Sequence, residues 1–437
     1  MAFHLTNTGR RAMMLTALSE ANAKLIAYLN GLDYFQPERI GESIQILNIQ
    51  KLLTTEGLEA TLAEIRGSLV EQRIDLLIID SLRSLNALTN DPTGVQSFIF
   101  SLGSALFMVG CTTVLVEDQY TLDSNTTPEE AISDTILRLD VARAGRAAMR
   151  QLEIVKMRGA NPLSGAHSFE ITSTGLQVYP RLETLASEKE PPASDTRVGW
   201  GVPGLDALTH GGISAHNSTL VLGTAGIGKT TLGLQFVAHN VAQGERCLYL
   251  ATHESAEELV QKAAGFGMHL QPAVDSGLLH FLEVPPGGTN IDRTMHAALS
   301  LTREHGVSRL VIDVINLLER DAAREGRFPD VLAALARFLR ADGVTTLVMR
   351  VMTQIAGQEL AFDGGPESPW TAIDNMVLMR PVELDGALNS VISVLKMRNS
   401  DHERSFHRIN IGTDGLSVDG ELTGLTGLLT GSARRTD

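Results

Sequence analysis

The chain has 437 residues, of which 43% are apolar and 20% charged, and its formal net charge at pH 7 is −15. This length and composition are those of a soluble globular protein with two domains, and no apolar run approaches the roughly 18 residues of a membrane span. The acidic balance argues against nucleic-acid binding, because proteins that grip a phosphate backbone carry a basic patch. Since there is no signal peptide and Cys111 and Cys247 are the only cysteines, we expect a cytoplasmic protein with reduced, buried thiols and no zinc site.

Residues 1–180 alternate short apolar runs with helical patterns, which is typical of βαβ units. The apolar runs predict strands within 11–20, 74–80, 112–119, 152–162 and 169–178. The next segment, 181–197, is charged, contains Pro191 followed by Pro192 and has no apolar period. We therefore expect an interdomain linker there.

The same series of signals returns in residues 198–420. Its apolar runs are 246–254, 308–314, 345–354, 393–402 and 409–418. Asp80 and Asp313 each end the second run of their series, and a Lys-Met-Arg triplet begins at Lys156 and again at Lys396. Five matches in one order at a nearly constant offset indicate a duplicated domain. The predicted fold class is α/β, with a largely parallel sheet in each domain and a short tail at 421–437.

A phosphate-binding loop is the strongest functional signal in the chain. Residues 223–230 read G-x-x-x-x-G-K-T between an apolar run and a helical pattern, which is the context that a P-loop requires. Its glycines let backbone N–H groups turn toward an anion, Lys229 can reach the β- and γ-phosphates of ATP, and Thr230 can offer its hydroxyl to Mg²⁺. The predicted nucleotide-binding residues are Gly223, Thr224, Ala225, Gly226, Ile227, Gly228, Lys229, Thr230 and Thr231.

Two acidic residues follow the P-loop at strand ends. Asp313 ends an apolar run as a Walker B aspartate does, and we expect it to hold the Mg²⁺ water shell together with Thr230. Glu254 ends the run 246–254. It fits a base that polarises the attacking water, and it fits equally a first-turn acid of the following helix.

The segment 331–339 places its apolar side chains on one face of a predicted helix. Arginines gather around it between Arg320 and Arg340, but acidic residues alternate with them. We interpret these arginines as a solvated helix face rather than a surface for DNA.

Lys396 and Arg398 alternate along a predicted strand, so both side chains lie on one face. They fit either an exposed, solubilising pair or cationic fingers that reach a phosphate on a neighbouring subunit. The residue pattern alone favours the exposed pair.

Together, these motifs resemble the KaiC family of RecA-superfamily ATPases. The resemblance is carried by "GWGVPGLDALTHGGI" at 199–213, the P-loop, Asp313, "KMRNSDH" at 396–402 and the "GLSV" close. It implies tandem RecA-like domains in a double hexameric ring, with ATP between subunits, ATP state controlling ring conformation, and a protein partner. It also implies that Lys396 and Arg398 act on the nucleotide of the next subunit. The family has two glutamates after its second strand, whereas this chain has His253 and then Glu254, which leaves water activation to Glu254.

The first domain matches this pattern only from the helix that follows a P-loop, since residues 2–11 resemble 237–246. The counterpart of 197–236 would precede Met1. We expect either a true start upstream of Met1, which we favour because the sheet would otherwise expose its apolar centre, or a first domain that has lost ATP binding.

Two other functions remain open. Clock-type family members phosphorylate an adjacent Ser-Thr pair, and the matching positions here are Trp370 and Thr371. A serine/threonine autokinase would therefore have a single acceptor, Thr371. A RecA- or RadA-like DNA-dependent ATPase is the third hypothesis, which the acidic charge disfavours.

Overall fold

The computed structural model describes most of the chain. The described residues are 1–16, 22–89, 91–118, 128–144, 147–186, 189–190, 192, 194–284, 290–323, 325–352, 369–384, 386–430 and 434–435. The chain divides into two compact units. Unit 1 comprises Met1–Asp140, Arg150–Gly165 and Phe169–Val178, and unit 2 comprises Val141–Met149, Ala166–Ser168 and Tyr179–Asp437.

The first 180 residues contain helices and strands in alternation. The helices are α1 Ala2–Thr6, α2 Asn22–Leu29, α3 Gln50–Glu71, α4 Leu82–Thr89, α5 Pro92–Val109 and α6 Pro128–Ile132, with a 3₁₀ helix at Pro37–Arg39. The strands are β1 Ala12–Thr16, β2 Ile44–Asn48, β3 Leu76–Asp80, β4 Thr112–Val116, β5 Thr135–Ala144, β6 Ala147–Met157, β7 Ala166–Thr172 and β8 Gly175–Tyr179.

The remaining residues follow a similar order. The helices are α7 Pro203–Leu208, α8 Lys229–Ala242, α9 Ala256–Gly265, α10 Gln271–Asp275, α11 Ile291–His305, α12 Asn316–Ala323 and α13 Phe328–Ala341, with 3₁₀ helices at Leu182–Thr184, Pro369–Ala372 and Leu428–Thr430. The strands are β9 Arg197–Val198, β10 Ile213–Ser214, β11 Ser218–Gly223, β12 Cys247–Ala251, β13 Leu279–Glu283, β14 Arg309–Asp313, β15 Thr345–Val351, β16 Asn375–Leu384, β17 Ala387–Met397, β18 His407–Gly412, β19 Gly415–Glu421, β20 Leu425–Thr426 and β21 Arg434–Arg435.

The core of unit 2 is one large sheet in the order β13-β12-β14-β15-β11-β16-β17-β18-β19. The strands from β13 to β16 are parallel, and β17, β18 and β19 continue the sheet antiparallel. Apolar side chains cover both faces, with α8 on one and α13 on the other. Continuous apolar runs such as "STLVLG" form these strands because both of their faces are buried. This arrangement confirms the predicted α/β class.

Residues 1–180 form two smaller sheets. One is parallel, in the order β2-β1-β3-β4, and the other has the order β5-β6-β7-β8. In unit 2, β11 lies between β15 and β16 and bonds to both. In the described part of residues 1–180, no strand occupies the corresponding position between β4 and β5. Apolar side chains are accordingly exposed there, at 57% for Leu137, 57% for Leu139 and 37% for Val116.

The arginine-rich segment departs from expectation at Arg327. This residue is only 6% exposed, so the interpretation of these arginines as a solvated face is wrong here. Its guanidinium binds Asp292 at 2.7 Å and Glu183 at 2.7 Å, and it also contacts Glu325. Charged residues are buried when such partners satisfy their hydrogen bonds, and two of these partners, Asp292 and Glu183, come from distant parts of the sequence. Glu183 lies within the predicted linker, next to Leu182, whose side chain is buried.

Candidate active site

Strand direction brings together the P-loop, Asp313 and Glu254. Gly223 ends β11, Asp313 ends β14, and Ala251 ends β12 in register with Asp313. Because these strands are parallel, their carboxyl ends lie at one edge of the sheet, where ligands bind in open α/β folds. The P-loop therefore begins at the same edge as Asp313 and Glu254.

The loop itself depends on its glycines. Gly226 and Gly228 have φ of 78° and 105°, a region that side-chain-bearing residues avoid. A Cβ at Gly228 would also lie 2.7 Å from Cδ1 of Ile411. Helix α8 begins at Lys229, and no side chain caps its N-terminus. Its first backbone N–H groups are thus available to an anion.

The side chain of Lys229 folds back onto the P-loop that precedes it. Its ammonium is buried, with the residue 6% exposed, and Nζ donates to the carbonyl oxygens of Thr224 at 2.7 Å and Gly223 at 2.9 Å. Burial lowers the pKa of Lys229 to about 8, and the nearby carboxylate of Asp313 opposes that shift. A buried cation whose hydrogen-bond partners among the described residues are neutral carbonyls is a good partner for a phosphate.

The other predicted loop residues share the same turn. Ile227 is buried and packs in the core beneath the loop, whereas Ala225 is exposed. Thr224 and Thr231 are buried, and Thr230 is half-buried in the first turn of α8.

Asp313 has a specific partner in the core. Its side chain is 8% exposed, and Oδ2 accepts a hydrogen bond of 2.7 Å from the hydroxyl of Tyr249. Burial raises the pKa of Tyr249 well above its usual range, so this hydroxyl stays a donor. Oδ1 of Asp313 accepts no hydrogen bond from the described residues. A free carboxylate oxygen and the hydroxyl of Thr230 are hard oxygen donors, which suit Mg²⁺.

Glu254 is not the N-cap of α9. Ser255 takes that position in a capping box with Glu258, so the alternative of a first-turn acid does not hold for Glu254. Its carboxylate instead forms an ion pair with Lys262. The neighbouring His253 is exposed, and its Nδ1 lies 2.8 Å from Oγ1 of Thr252.

Lys396 and Arg398 lie at the opposite edge of the sheet. Met397 pairs with Asn375, which pairs in turn with Thr219 near the start of β11. The six residues of β11 separate this edge from the P-loop by about 17 Å at the rise of a β-strand. The predicted fingers and their own P-loop therefore do not meet within one chain.

Both cations are held at that edge by local contacts. Nζ of Lys396 donates to the carbonyl oxygen of Ile373 at 2.7 Å. The guanidinium of Arg398 contacts the carbonyl of Thr371 at 3.2 Å and the carboxylate of Asp374 at 3.3 Å. Burial lowers the pKa of Lys396, and Arg398 lowers it further.

Asp374 is the centre of this second cluster. It is fully buried, and Oδ2 accepts from the backbone N–H of Ser218 at 2.9 Å and from its hydroxyl at 3.0 Å. Arg340, on α13, forms an ion pair with the same oxygen. One carboxylate thus joins the first residue of the P-loop strand to the cation Arg398.

Unit 1 contains a counterpart of these cations. Nζ of Lys156 donates to the carbonyl of Glu130 at 2.8 Å, and Arg158 contacts Asp134 at 3.4 Å. Asp80 ends β3 as Asp313 ends β14, and burial together with Asp118 raises its pKa. The duplicated motifs therefore occupy matching positions in the two halves of the chain.

Sequence reasoning missed Tyr249, Lys262, Arg340 and Asp374. Tyr249 carries the one available signal, since it is a polar group within the apolar run of β12. The pairings of Lys262 with Glu254 and of Arg340 with Asp374 depend on how helices pack beside the strands.

Among the described residues, no helix is long and apolar enough to cross a membrane.

Comparison with known proteins gives a consistent result. A family model described as "ATPase: KaiC" matches residues 20–183 and, a second time, residues 198–423. Circadian clock protein KaiC3 of Synechocystis sp. is 28% identical over 379 residues, which covers 86% of this chain and 74% of that protein. Circadian clock oscillator protein KaiC of Synechococcus elongatus is 26% identical over 389 residues, covering 88% of this chain and 74% of that protein. The family match falls on both halves of the chain, as the duplication predicts.

Proposed function

The chain belongs to the KaiC family of ATPases, and we propose that it binds MgATP at the P-loop of residues 223–230 and hydrolyses it between the subunits of a hexameric ring. In this proposal, domain 1–180 and domain 198–420 stack as two layers joined by 181–197. The state of the nucleotide controls the conformation of the ring and its binding of a protein partner in the cytoplasm. The single observation that carries the proposal is the separation of Lys396 and Arg398 from Lys229 within one chain.

This separation supports action between subunits. In a ring whose subunits meet head to tail, one edge of each sheet faces the opposite edge of its neighbour's sheet. Lys396 and Arg398 then lie beside the nucleotide bound at the next subunit's Lys229. There they stabilise the negative charge that develops on the γ-phosphate, as arginine fingers do.

The nucleotide and its metal would be held by the residues at the P-loop edge. The loop N–H groups and Lys229 bind the phosphates, while Thr230 and the free Oδ1 of Asp313 hold Mg²⁺ or its water. The ion would supply positive charge that offsets the negative charge of the phosphates during the reaction. Once its ion pair with Lys262 has opened, Glu254 would orient and deprotonate the attacking water.

Mixing two inactive variants tests the arrangement. Lys229→Ala removes the phosphate contact, and Arg398→Ala removes the finger. In rings mixed one to one, about one quarter of the head-to-tail interfaces combine an intact P-loop with an intact finger. We expect mixed rings to recover about that share of the wild-type rate. If the mixture stays as inactive as each variant alone, the fingers do not act between subunits.

One contact favours a second function, autophosphorylation of Thr371. The carbonyl of Thr371 accepts a hydrogen bond from Arg398, so this residue lies at the edge that would face the neighbour's nucleotide. Incubation with ATP followed by phosphopeptide mapping tests it, with Thr371→Ala as the control. Absence of phosphate on Thr371 after full turnover rejects the kinase activity and leaves the ATPase proposal unaffected.

A further inference from the structure

Tyr249 is a buried polar residue for which the proposed chemistry has so far given no role. It lies in β12 between apolar neighbours and is fully inaccessible to solvent. In the parallel register, Tyr249 pairs with Val311 and Ala251 pairs with Asp313. Residues two apart share a face of a strand, so Val311 and its partner Tyr249 lie on the same face as Asp313. Tyr249 is two residues further than Asp313 from the carboxyl ends of the strands. Its hydroxyl reaches back to Asp313 at 2.7 Å.

The hydroxyl of Tyr249 is closely surrounded by residues of α8, β14 and β15. A Cβ built on Gly233, in helix α8, would lie 3.2 Å from the hydroxyl oxygen, 3.3 Å from Cε of Met349 and 3.3 Å from Cγ1 of Val311. Helix α8 thus has a glycine, Gly233, at the position that contacts the hydroxyl of Tyr249. A buried hydroxyl without a partner is costly, and here the partner is the carboxylate of Asp313.

We propose that Tyr249 is a positioning residue that fixes the orientation of the Asp313 carboxylate for Mg²⁺. By occupying Oδ2, it leaves Oδ1 as the oxygen that is available to the cation or its water. Partners that lock a ligand's orientation commonly tune metal affinity by about 10- to 100-fold. This inference rests on the proposed nucleotide site, because it assigns to Asp313 the role of holding Mg²⁺.

A purely structural role for Tyr249 makes a different prediction. If the ring serves only to fill the core, phenylalanine fills the same space and Mg²⁺ behaviour stays the same. Tyr249→Phe removes one oxygen atom and retains the aromatic contacts, including that with Phe281 at 5.9 Å between ring centroids. This substitution therefore separates positioning from packing.

The test measures the Mg²⁺ concentration at half-saturation of binding of a fluorescent ATP analogue to the full chain. We expect Tyr249→Phe to raise that concentration about tenfold and to leave binding of the analogue in excess chelator unchanged. Thr302→Val is the matched control, because Thr302 on α11 has a buried hydroxyl for which the described part of the chain offers no hydrogen-bond partner. An unchanged Mg²⁺ requirement in Tyr249→Phe overturns the inference.

Gly233 provides an independent route to the same hydroxyl. Gly233→Ala should displace it and raise the Mg²⁺ requirement in the wild-type background. In the Tyr249→Phe background the hydroxyl is already gone, so the added methyl group should raise the requirement no further. Additive effects of the two substitutions would show that Gly233 acts through its other neighbours, Met349 and Val311, and the direct comparison of Tyr249→Phe with the wild type would then decide the inference.

The wild-type chain separates failure of this inference from failure of the proposed function. If it binds the nucleotide analogue poorly, or binds it without any Mg²⁺ dependence, the proposed site itself is wrong. If it binds with a clear Mg²⁺ requirement that Tyr249→Phe does not alter, only the role of Tyr249 falls.

Discussion

The carboxylate of Glu254, which precedes α9, forms an ion pair with Lys262 in the last turn of that helix. Both side chains are partly exposed, at 31% for Glu254 and 37% for Lys262. An ion pair at such a site contributes less than about 1 kcal/mol, because solvent screens it. Opening the pair therefore costs little, which the proposed role of Glu254 in water activation requires.

Removal of this ion pair is expected to accelerate ATP turnover. In Lys262→Gln, Glu254 is released, so we expect a rise of roughly threefold in rate, the equivalent of a surface ion pair. Lys262→Arg keeps the pair and should match the wild type. Glu254→Gln should lower turnover at least about 100-fold, since general-base catalysis typically contributes that much. Steady-state phosphate release measures all three, and a normal rate in Glu254→Gln would exclude Glu254 as the base.

The P-loop lysine and the finger should affect different steps. We expect Lys229→Ala to abolish ATP binding, because the buried ammonium is the main positive charge in the loop. Arg398→Ala should leave binding intact and lower the rate about 1,000-fold, since the finger acts on charge that develops during the reaction. Equilibrium binding and single-turnover kinetics separate the two effects. Equal loss of both properties in the two variants would contradict the assigned roles.

The stoichiometry of assembly gives another prediction. Native mass spectrometry with Mg²⁺ and a slowly hydrolysed ATP analogue should show six chains with six nucleotides, because each chain carries one G-x-x-x-x-G-K-T motif. Lys229→Ala should remove the bound nucleotides. Nucleotides that remain on that variant would have to occupy a site other than the P-loop.

Arg327 is expected to be the most sensitive of the arginines between Arg320 and Arg340. Arg327→Ala leaves the carboxylates of Asp292 and Glu183 without their shared cation, and a broken buried ion pair costs about 3–5 kcal/mol. Arg320→Ala, at an exposed position, should change stability by less than about 0.5 kcal/mol. The free energy of unfolding from urea titration measures both. Similar values for the two variants would show that the buried cluster adds no stability.

The same cluster predicts how stability changes with pH. Burial acts to raise the pKa of Glu183, but hydrogen bonds from Arg327 and Arg181 outweigh burial and hold it below its ordinary value. Since the unfolded chain then binds more protons, this stabilisation is complete above the ordinary glutamate pKa, which is about 4.3, and is lost as pH falls below it. Urea titrations from about pH 6 down to about pH 3 should show a flatter profile for Arg327→Ala than for the wild type. Identical profiles would exclude Glu183 as a contributor.

Local patterns predicted strands such as β1, β4 and β11, because a short apolar run is a local signal. The run "STLVLG" is short, apolar and followed by the glycine spacing of a P-loop, and these local features were enough to predict β11 and the loop after it. The partners of Glu254 and Asp374 could not be predicted in this way, since Lys262 and Arg340 reach them only after helices pack beside the sheet. The exposed interpretation of Arg327 failed for the same reason. Its burial requires Glu183 and Asp292, which are remote in sequence.

The contact of Arg340 with Asp374 has a consequence for how the finger can move. If Arg398 were the sole cation beside this buried carboxylate, its departure toward a neighbour would strand a negative charge in the interior, at a cost of several kcal/mol. If Arg398 acts as the proposed finger, Arg340 would remain beside Asp374 as a counter-ion, so movement of Arg398 would not leave that carboxylate unpaired. In the first half of the chain, Phe107 stands at the matching position, three residues before the glycine that ends its helix. There Asp134 is 83% exposed, so solvent screens its charge and no second cation is needed.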